Sequence, residues 1–218
     1  MYMGLLAVLV VAVSANAGMY VAGVPALGPD EYQFGASATA ALWSGQPDTT
    51  HPDDVYLSEN VGWKGVGMMK FDVSSLAGLT VQSATLYLNT AQAGGNASNP
   101  DMDVSLTPLG GSWDKNTVTW NTYGIGNFGS AMDSVLLNTT DWASGWVKLT
   151  VTPSLVQGWI DTPSADGFQG LGLVPVWEGA NVEFRAFEQV LVVNATPEPA
   201  TMGLLCVGGL GMLLRRRK

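Results

Sequence analysis

The side chains of this 218-residue chain that could do chemistry are 18 carboxylates, a single histidine, a single cysteine and 8 tryptophans. One imidazole, His51, cannot furnish a zinc site built on two or three of them, and a Ser-His-Asp triad would hang on a residue beside Pro52. Glycoside hydrolysis needs two carboxylates roughly 5 to 10 Å apart across a cleft, and the acids here follow no spacing that marks such a pair. A polysaccharide lyase wants a tyrosine or histidine base beside a cation. The cations before the C-terminal tail, Lys64, Lys70, Lys115, Lys148 and Arg185, stand singly, so no catalytic residue is assigned and a non-enzyme is expected. Asp101-Met102-Asp103 puts two carboxylates on one face of a strand, and His51-Pro52-Asp53-Asp54 adds oxygens in a loop. These are hard ligands of the kind calcium takes, without EF-hand spacing, so calcium at Asp101 and Asp103 is the one cofactor the acids admit. Trp43, Trp63, Trp142 and Trp177 lie in Gly, Ser and Asp-rich segments. There an indole offers a flat face to a sugar ring, and neighbouring amides and carboxylates can orient hydroxyls. Phe71, Trp113, Trp120 and Trp159 sit instead in strand or helix patterns and are expected in the core. Asp72, ahead of Ser74-Ser75, is expected to cap a tight turn.

The elements that must position these residues repeat with period two. Ala84, Leu86 and Leu88 alternate with Ser83, Thr85, Tyr87 and Asn89; Met102, Val104 and Leu106 with Asp101, Asp103 and Ser105; Val147, Leu149 and Val151 with Lys148 and Thr150. Such alternation makes half-buried strands. Further strands are expected at 32–34, 55–58, 66–73, 117–120, 134–137, 168–174, 182–187 and 190–193, with turn-forming clusters such as Ala93-Gly94-Gly95-Asn96 and Asp161-Thr162-Pro163-Ser164 between them. About ten short strands with this punctuation predict an all-β fold, an antiparallel jelly-roll β-sandwich. One short helix is expected at 153–160, where Pro153 after Thr152 fits a capped first turn and Leu155, Val156 and Trp159 share a face.

The two ends carry different patterns, and three units are expected: a signal peptide over 1–17, a sandwich domain over 18–194 and a sorting segment over 195–218. Residues 5–13 form an apolar stretch of secretory length, as an N-terminal signal helix, and Ala15-Asn16-Ala17 is a small-residue cleavage site. At the other end Pro197-Glu198-Pro199 precedes an apolar run over 200–214 and the cluster Arg215-Arg216-Arg217-Lys218. As a helix that run is roughly 22 Å long, short of a hydrocarbon core of roughly 30 Å, so it is a temporary anchor. The four cations flank the membrane and stay cytoplasmic. Between the ends, 18–196 carries 17 acids against 5 bases, because only Glu198 and four of the 9 bases fall outside it. Nucleic acid, which needs clustered Lys and Arg, is excluded as a partner. The lone cysteine, Cys206, lies in the apolar tail, so the exported part has no disulfide and depends on its core.

The tripeptide, apolar run and basic tail resemble, in order and spacing, the PEP-CTERM sorting signal of exopolysaccharide-producing Gram-negative bacteria. That resemblance implies a partner, the membrane-embedded cysteine transpeptidase exosortase, thought to cut near Pro-Glu-Pro. It also implies transient inner-membrane anchoring, followed by the cell surface, outer membrane or extracellular matrix. Four segments of the middle, Lys70-Phe71-Asp72-Val73-Ser74-Ser75-Leu76, 81–88, Trp113-Asp114-Lys115-Asn116 through Asn121, and 151–159, resemble the successive signatures of DNRLRE-type domains, related to the family 96 carbohydrate-binding modules. The resemblance implies a jelly-roll sandwich of a kind appended to secreted polysaccharide-active proteins, and a polysaccharide as ligand. It departs from the family at Trp113-Asp114-Lys115, where Trp-x-Glu is usual, and in its closing segment, of which Phe184-Arg185-Ala186-Phe187-Glu188 is what remains. Two readings stand open: a non-catalytic glycan-binding module of the cell surface or matrix, and a structural envelope or biofilm-matrix protein with no glycan site. A polysaccharide-degrading enzyme is the third and least supported.

Overall fold

A computed structural model of the chain describes residues 27–60, 63–95, 102–137, 146–163, 169–176 and 180–197. The signal segment and, past Pro197, the sorting segment lie outside the described residues. Among those described, no helix is long and apolar enough to cross a membrane.

The alternating stretches form strands that line two antiparallel sheets. One runs β8 (Asp133–Leu137), β7 (Met102–Pro108), β10 (Gln169–Pro175), β5 (Trp63–Phe71), β2 (Ala38–Trp43) and the two-residue β3 (His51–Pro52). The other runs β9 (Trp146–Val151), β6 (Leu79–Gly95), β11 (Ala180–Pro197) and β1 (Glu31–Gly35). Strand β4 (Tyr56–Asn60) pairs with β5 through Ser58–Asn60 and with β11 through Tyr56–Glu59, joining the two layers along one side. The expected all-β antiparallel sandwich is what forms. Period two places one set of side chains inward from each sheet: Val104, Leu106, Leu86, Leu88, Leu149, Val151, Leu171, Leu191 and Val193 fill the space between them. Each such side chain, fully withdrawn from water, contributes about 1.5–3 kcal/mol.

Strand β5 departs from alternation because both of its faces are covered. Met69 and Phe71 point into the main core, whereas Val66 and Met68 meet a second cluster with Ala40, Leu42, Trp113, Val118 and Tyr123. That outer cluster is roofed by the segment 109–128. Leu109 bridges to Phe128, Gly110 N–H donates to the Asn127 carbonyl at 2.8 Å, and the Tyr123 hydroxyl donates to the Gly110 carbonyl at 2.5 Å. Its α-helical turn, α1 (Trp120–Tyr123), opens on a capping box in which Thr119 and Thr122 satisfy each other's N–H groups.

Several local expectations are corrected. The strand expected at 117–120 is a turn running into α1: Asp114 accepts from the Asn116 N–H through its side chain (2.8 Å) and from the Val118 N–H through its carbonyl (2.8 Å), and the Thr119 cap then commits the chain to a helix. The strands expected at 182–187 and 190–193 are one, β11, continuous through irregularities between Glu183 and Gln189 that keep it paired with β6. Strands β2 and β3 add to the expected set. The second helix, α2 (Pro153–Asp161), starts with Pro153 as expected, but Thr152 caps it through its carbonyl, which accepts from Leu155 N–H at 3.0 Å, and not through its side chain. Asp72 does cap, accepting the Ser74 N–H at 3.0 Å. Phe71, Trp113 and Trp159 are buried; Trp120 is half-buried against the outer cluster.

Candidate functional site

Four aromatic side chains meet where β2 and β3 face the starts of β4 and β5. Trp43 ends β2, His51 opens β3, Tyr56 opens β4 and Trp63 opens β5. Trp43 is central: its ring stacks on His51 (centroids 4.1 Å, planes 21° apart) and lies tilted against Tyr56 (5.3 Å) and Trp63 (6.1 Å). The ladder forces the meeting. Trp43 pairs with Gly65 and Gly65 with Ser58, while Ala41 pairs with His51 two positions along β2 on the same face. Ser44 pins the two tryptophan-bearing chains together, accepting the Lys64 N–H on its hydroxyl at 2.6 Å and donating its own N–H to the Lys64 carbonyl at 2.9 Å.

All four rings are half-buried. Trp43 Nε1 and His51 Nε2 are shielded from water and have no hydrogen-bond partner. Unpaired polar atoms of this kind cost stability that apolar packing alone would not incur. Beside the rings Lys64 pairs with Glu59 at 3.1 Å, each side chain keeping part of its surface exposed. The hairpin carrying Trp43 and His51 is tied to the 109–128 segment at two points. Asn121 donates to the Pro47 carbonyl (3.0 Å) and to Asp48 (2.8 Å), and Lys115 pairs with Asp53, whose φ of 62° is left-handed. The rings are therefore held on a fixed scaffold of strand ends. They can do what planar faces beside hydrogen-bonding groups do: stack on the C–H face of a sugar and orient its hydroxyls.

At the other end of β2 a hollow of about 340 Å³ is lined by Ser37, Lys70, Ser112, Trp113, Asp114 and Asn116, among others. Its floor is the Lys70 ammonium, 5.0 Å from the centre of the Trp113 ring, both residues being 6% exposed. Burial that strips water from a lysine is offset here by a cation–π contact of about 2 kcal/mol. Asp114 is used in its own turn and Lys115 on Asp53, so the hollow is a structural clasp between two of the sequence signatures.

Of the expected site residues, Trp43 and Trp63 are brought together. Trp142, Trp177, Asp101, Glu198, Pro199 and Arg215-Arg216-Arg217-Lys218 lie outside the described residues. Asp103 is half-buried on β7, with its carbonyl accepting the Val176 N–H at 2.9 Å. Among the described residues no three of His, Cys, Asp and Glu cluster as metal ligands would. Pro197 is the last residue of β11. His51 and Tyr56, outside the expected site residues, complete the cluster as ring partners of Trp43. The usable signal was that Trp43 and His51 flank a Gly, Pro and Asp-rich hairpin loop, which puts them side by side once 38–43 is a strand.

Residues 37–185 match carbohydrate-binding module family 96, and residues 195–218 match the PEP-CTERM protein-sorting motif. A comparison with curated proteins finds no match. The sorting motif implies export and exosortase-dependent processing. The chain belongs to carbohydrate-binding module family 96.

Proposed function

For this member of carbohydrate-binding module family 96 we propose a non-catalytic glycan-binding role at the cell surface or in the extracellular matrix, with the ring cluster around Trp43 as the binding platform. The observation that carries the reading is the convergence of Trp43, His51, Tyr56 and Trp63 within 6.1 Å of the central indole. The cluster stands where β2 ends and β4 and β5 begin, with the Lys64 and Glu59 side chains at its margin. The charge of 18–196, 17 acids against 5 bases, repels a polyanion, so the proposed ligand is a neutral polysaccharide. Export through the N-terminal signal and a temporary hold by 200–214, ended by exosortase, complete the proposal.

Affinity electrophoresis of the 18–196 fragment, in gels cast with neutral or uronic-acid polysaccharides, tests it. At least one neutral polysaccharide should retard the fragment, with calcium or with chelator, and Trp63→Ala should weaken retardation about tenfold, roughly 1.4 kcal/mol of stacking. Free migration in every gel, or unchanged retardation of the variant, would refute the platform.

A further inference from the structure

The sorting tripeptide does not hang from the domain on a linker; it begins inside the sheet. The last rungs of the β6–β11 ladder are Ala195 with Val81, Thr196 with Thr80 and Pro197 with Leu79. Ala195 is completely buried in the main core, and its N–H donates to the Asp30 carbonyl at 2.9 Å. The Gln82 amide reaches the Thr196 hydroxyl at 3.4 Å. Pro197 has no N–H to offer a further rung, which suits it to end a strand. The first residue of Pro-Glu-Pro is thus the final rung, two residues after a core position.

We propose that these terminal rungs gate the sorting cut: the enzyme engages the tripeptide only when 195–197 has peeled from β6. This rests on the reading of 195–218 as an exosortase substrate. The cut is cleavage of one peptide bond, its acyl group passing to water or to an acceptor amine. An enzyme that binds its substrate extended needs free backbone groups and side chains on the upstream side of the bond. Upstream of the Pro197–Glu198 bond those groups belong to β11, whose ladder with β6 runs to Pro197. The gate opens readily at Thr196 and Pro197, which end a strand and are half-buried and exposed respectively, and with difficulty at Ala195. The irregularity that leaves Gln82 unpaired between Val81 and Ser83 sits beside these rungs and separates them from the regular ladder above. Processing is therefore coupled to the opening of a few residues of a folded domain, and the rest of the sheet remains as the released product.

The test follows conversion of full-length precursor by pulse-chase in cells that carry an exosortase-type sorting enzyme. One variant carries six Gly and Ser residues inserted between Thr196 and Pro197. A second carries Thr80→Cys with Thr196→Cys in a Cys206→Ser background, so that opposed positions close as a disulfide. The insertion should speed conversion several-fold. The oxidised pair should slow it at least tenfold, with recovery on reduction, while Thr196→Cys alone behaves as wild type. The locked variant separates gating from mere clearance above the membrane, since it changes no distance between domain and tail. Conversion of insertion and locked variants at the wild-type rate would overturn the gate and leave the sorting reading intact. Failure of every chain to convert, wild type included, would overturn the sorting reading and the gate with it.

Discussion

Tyr123 shows how one side chain closes the roof of the outer cluster. Its ring meets Phe128 edge-on, with centroids 6.1 Å apart and planes at 84°, and its hydroxyl donates to Gly110. Burial pushes that hydroxyl up from 10.0 to about 12. A raised folded-state value means the neutral phenol is the form the fold holds. Its stabilisation is fully present below pH 10 and is lost as the pH rises toward 12. Wild-type stability should therefore fall by about 1 kcal/mol more than that of Tyr123→Phe between pH 8 and 11. Urea unfolding of both proteins at the two pH values measures this, and parallel losses would show that the phenol ionises as freely in the fold as out of it. Residue types alone made Phe71, Trp113 and Trp159 legible as core. They could not pair Lys70 with Trp113, because Trp113 reaches the strand residue Lys70 from a distant loop, nor Trp43 with His51 without first recognising 38–43 as a strand.

At the level of elements, what was legible followed one-sided burial. Strands β6, β7 and β9 each bury one face and expose the other, so their period is plain in the residues. Strand β2, Ala-Thr-Ala-Ala-Leu-Trp, buries four consecutive residues, which removes the alternation by which a strand is recognised. The stretch 117–120 alternates as a strand does, yet local capping by Asp114 and Thr119 captures it. Strand β10 shows the same two-sided burial in its glycines. A Cβ on Gly172 would stand 2.5 Å from the Phe128 ring and 2.8 Å from Leu109, and one on Gly170 would stand 2.9 Å from Leu109. The roof thus rests directly on the β10 backbone. Gly172→Ala should destabilise the domain by roughly 1–3 kcal/mol through this overlap. Adding Phe128→Ala to it should cost less than the two changes summed, because the second removes the clash made by the first. Strict additivity in thermal or urea unfolding would mean that the roof does not bear on β10.

On the scale of the whole molecule, β11 works as a ruler. Its first residue, Ala180, pairs with Glu59, beside the ring cluster, and its last, Pro197, pairs with Leu79, where α2 lies close: Gln157 accepts the Val81 N–H at 2.8 Å and donates to the Leu79 carbonyl at 3.3 Å. The ring cluster and the start of the sorting tripeptide are therefore at opposite poles, separated along the strand by up to roughly 56 Å at about 3.3 Å per residue. Under the proposed membrane hold by 200–214, with only two residues, Glu198 and Pro199, between it and the end of β11, the pole bearing Leu79 and α2 would face the lipid and the rings would face away. A precursor still held at the membrane would then present its proposed glycan platform outward, before any cut. Energy transfer distinguishes the poles in full-length protein reconstituted into vesicles with acceptor-labelled headgroups. In a Cys206→Ser background, a donor on Gln82→Cys, exposed beside the last rungs, should be strongly quenched. One on Gln46→Cys, whose N–H bonds the Trp43 carbonyl at 3.1 Å, should keep most of its emission. Equal quenching at both positions would mean that the domain lies on its side, and that its ring cluster becomes accessible only after release.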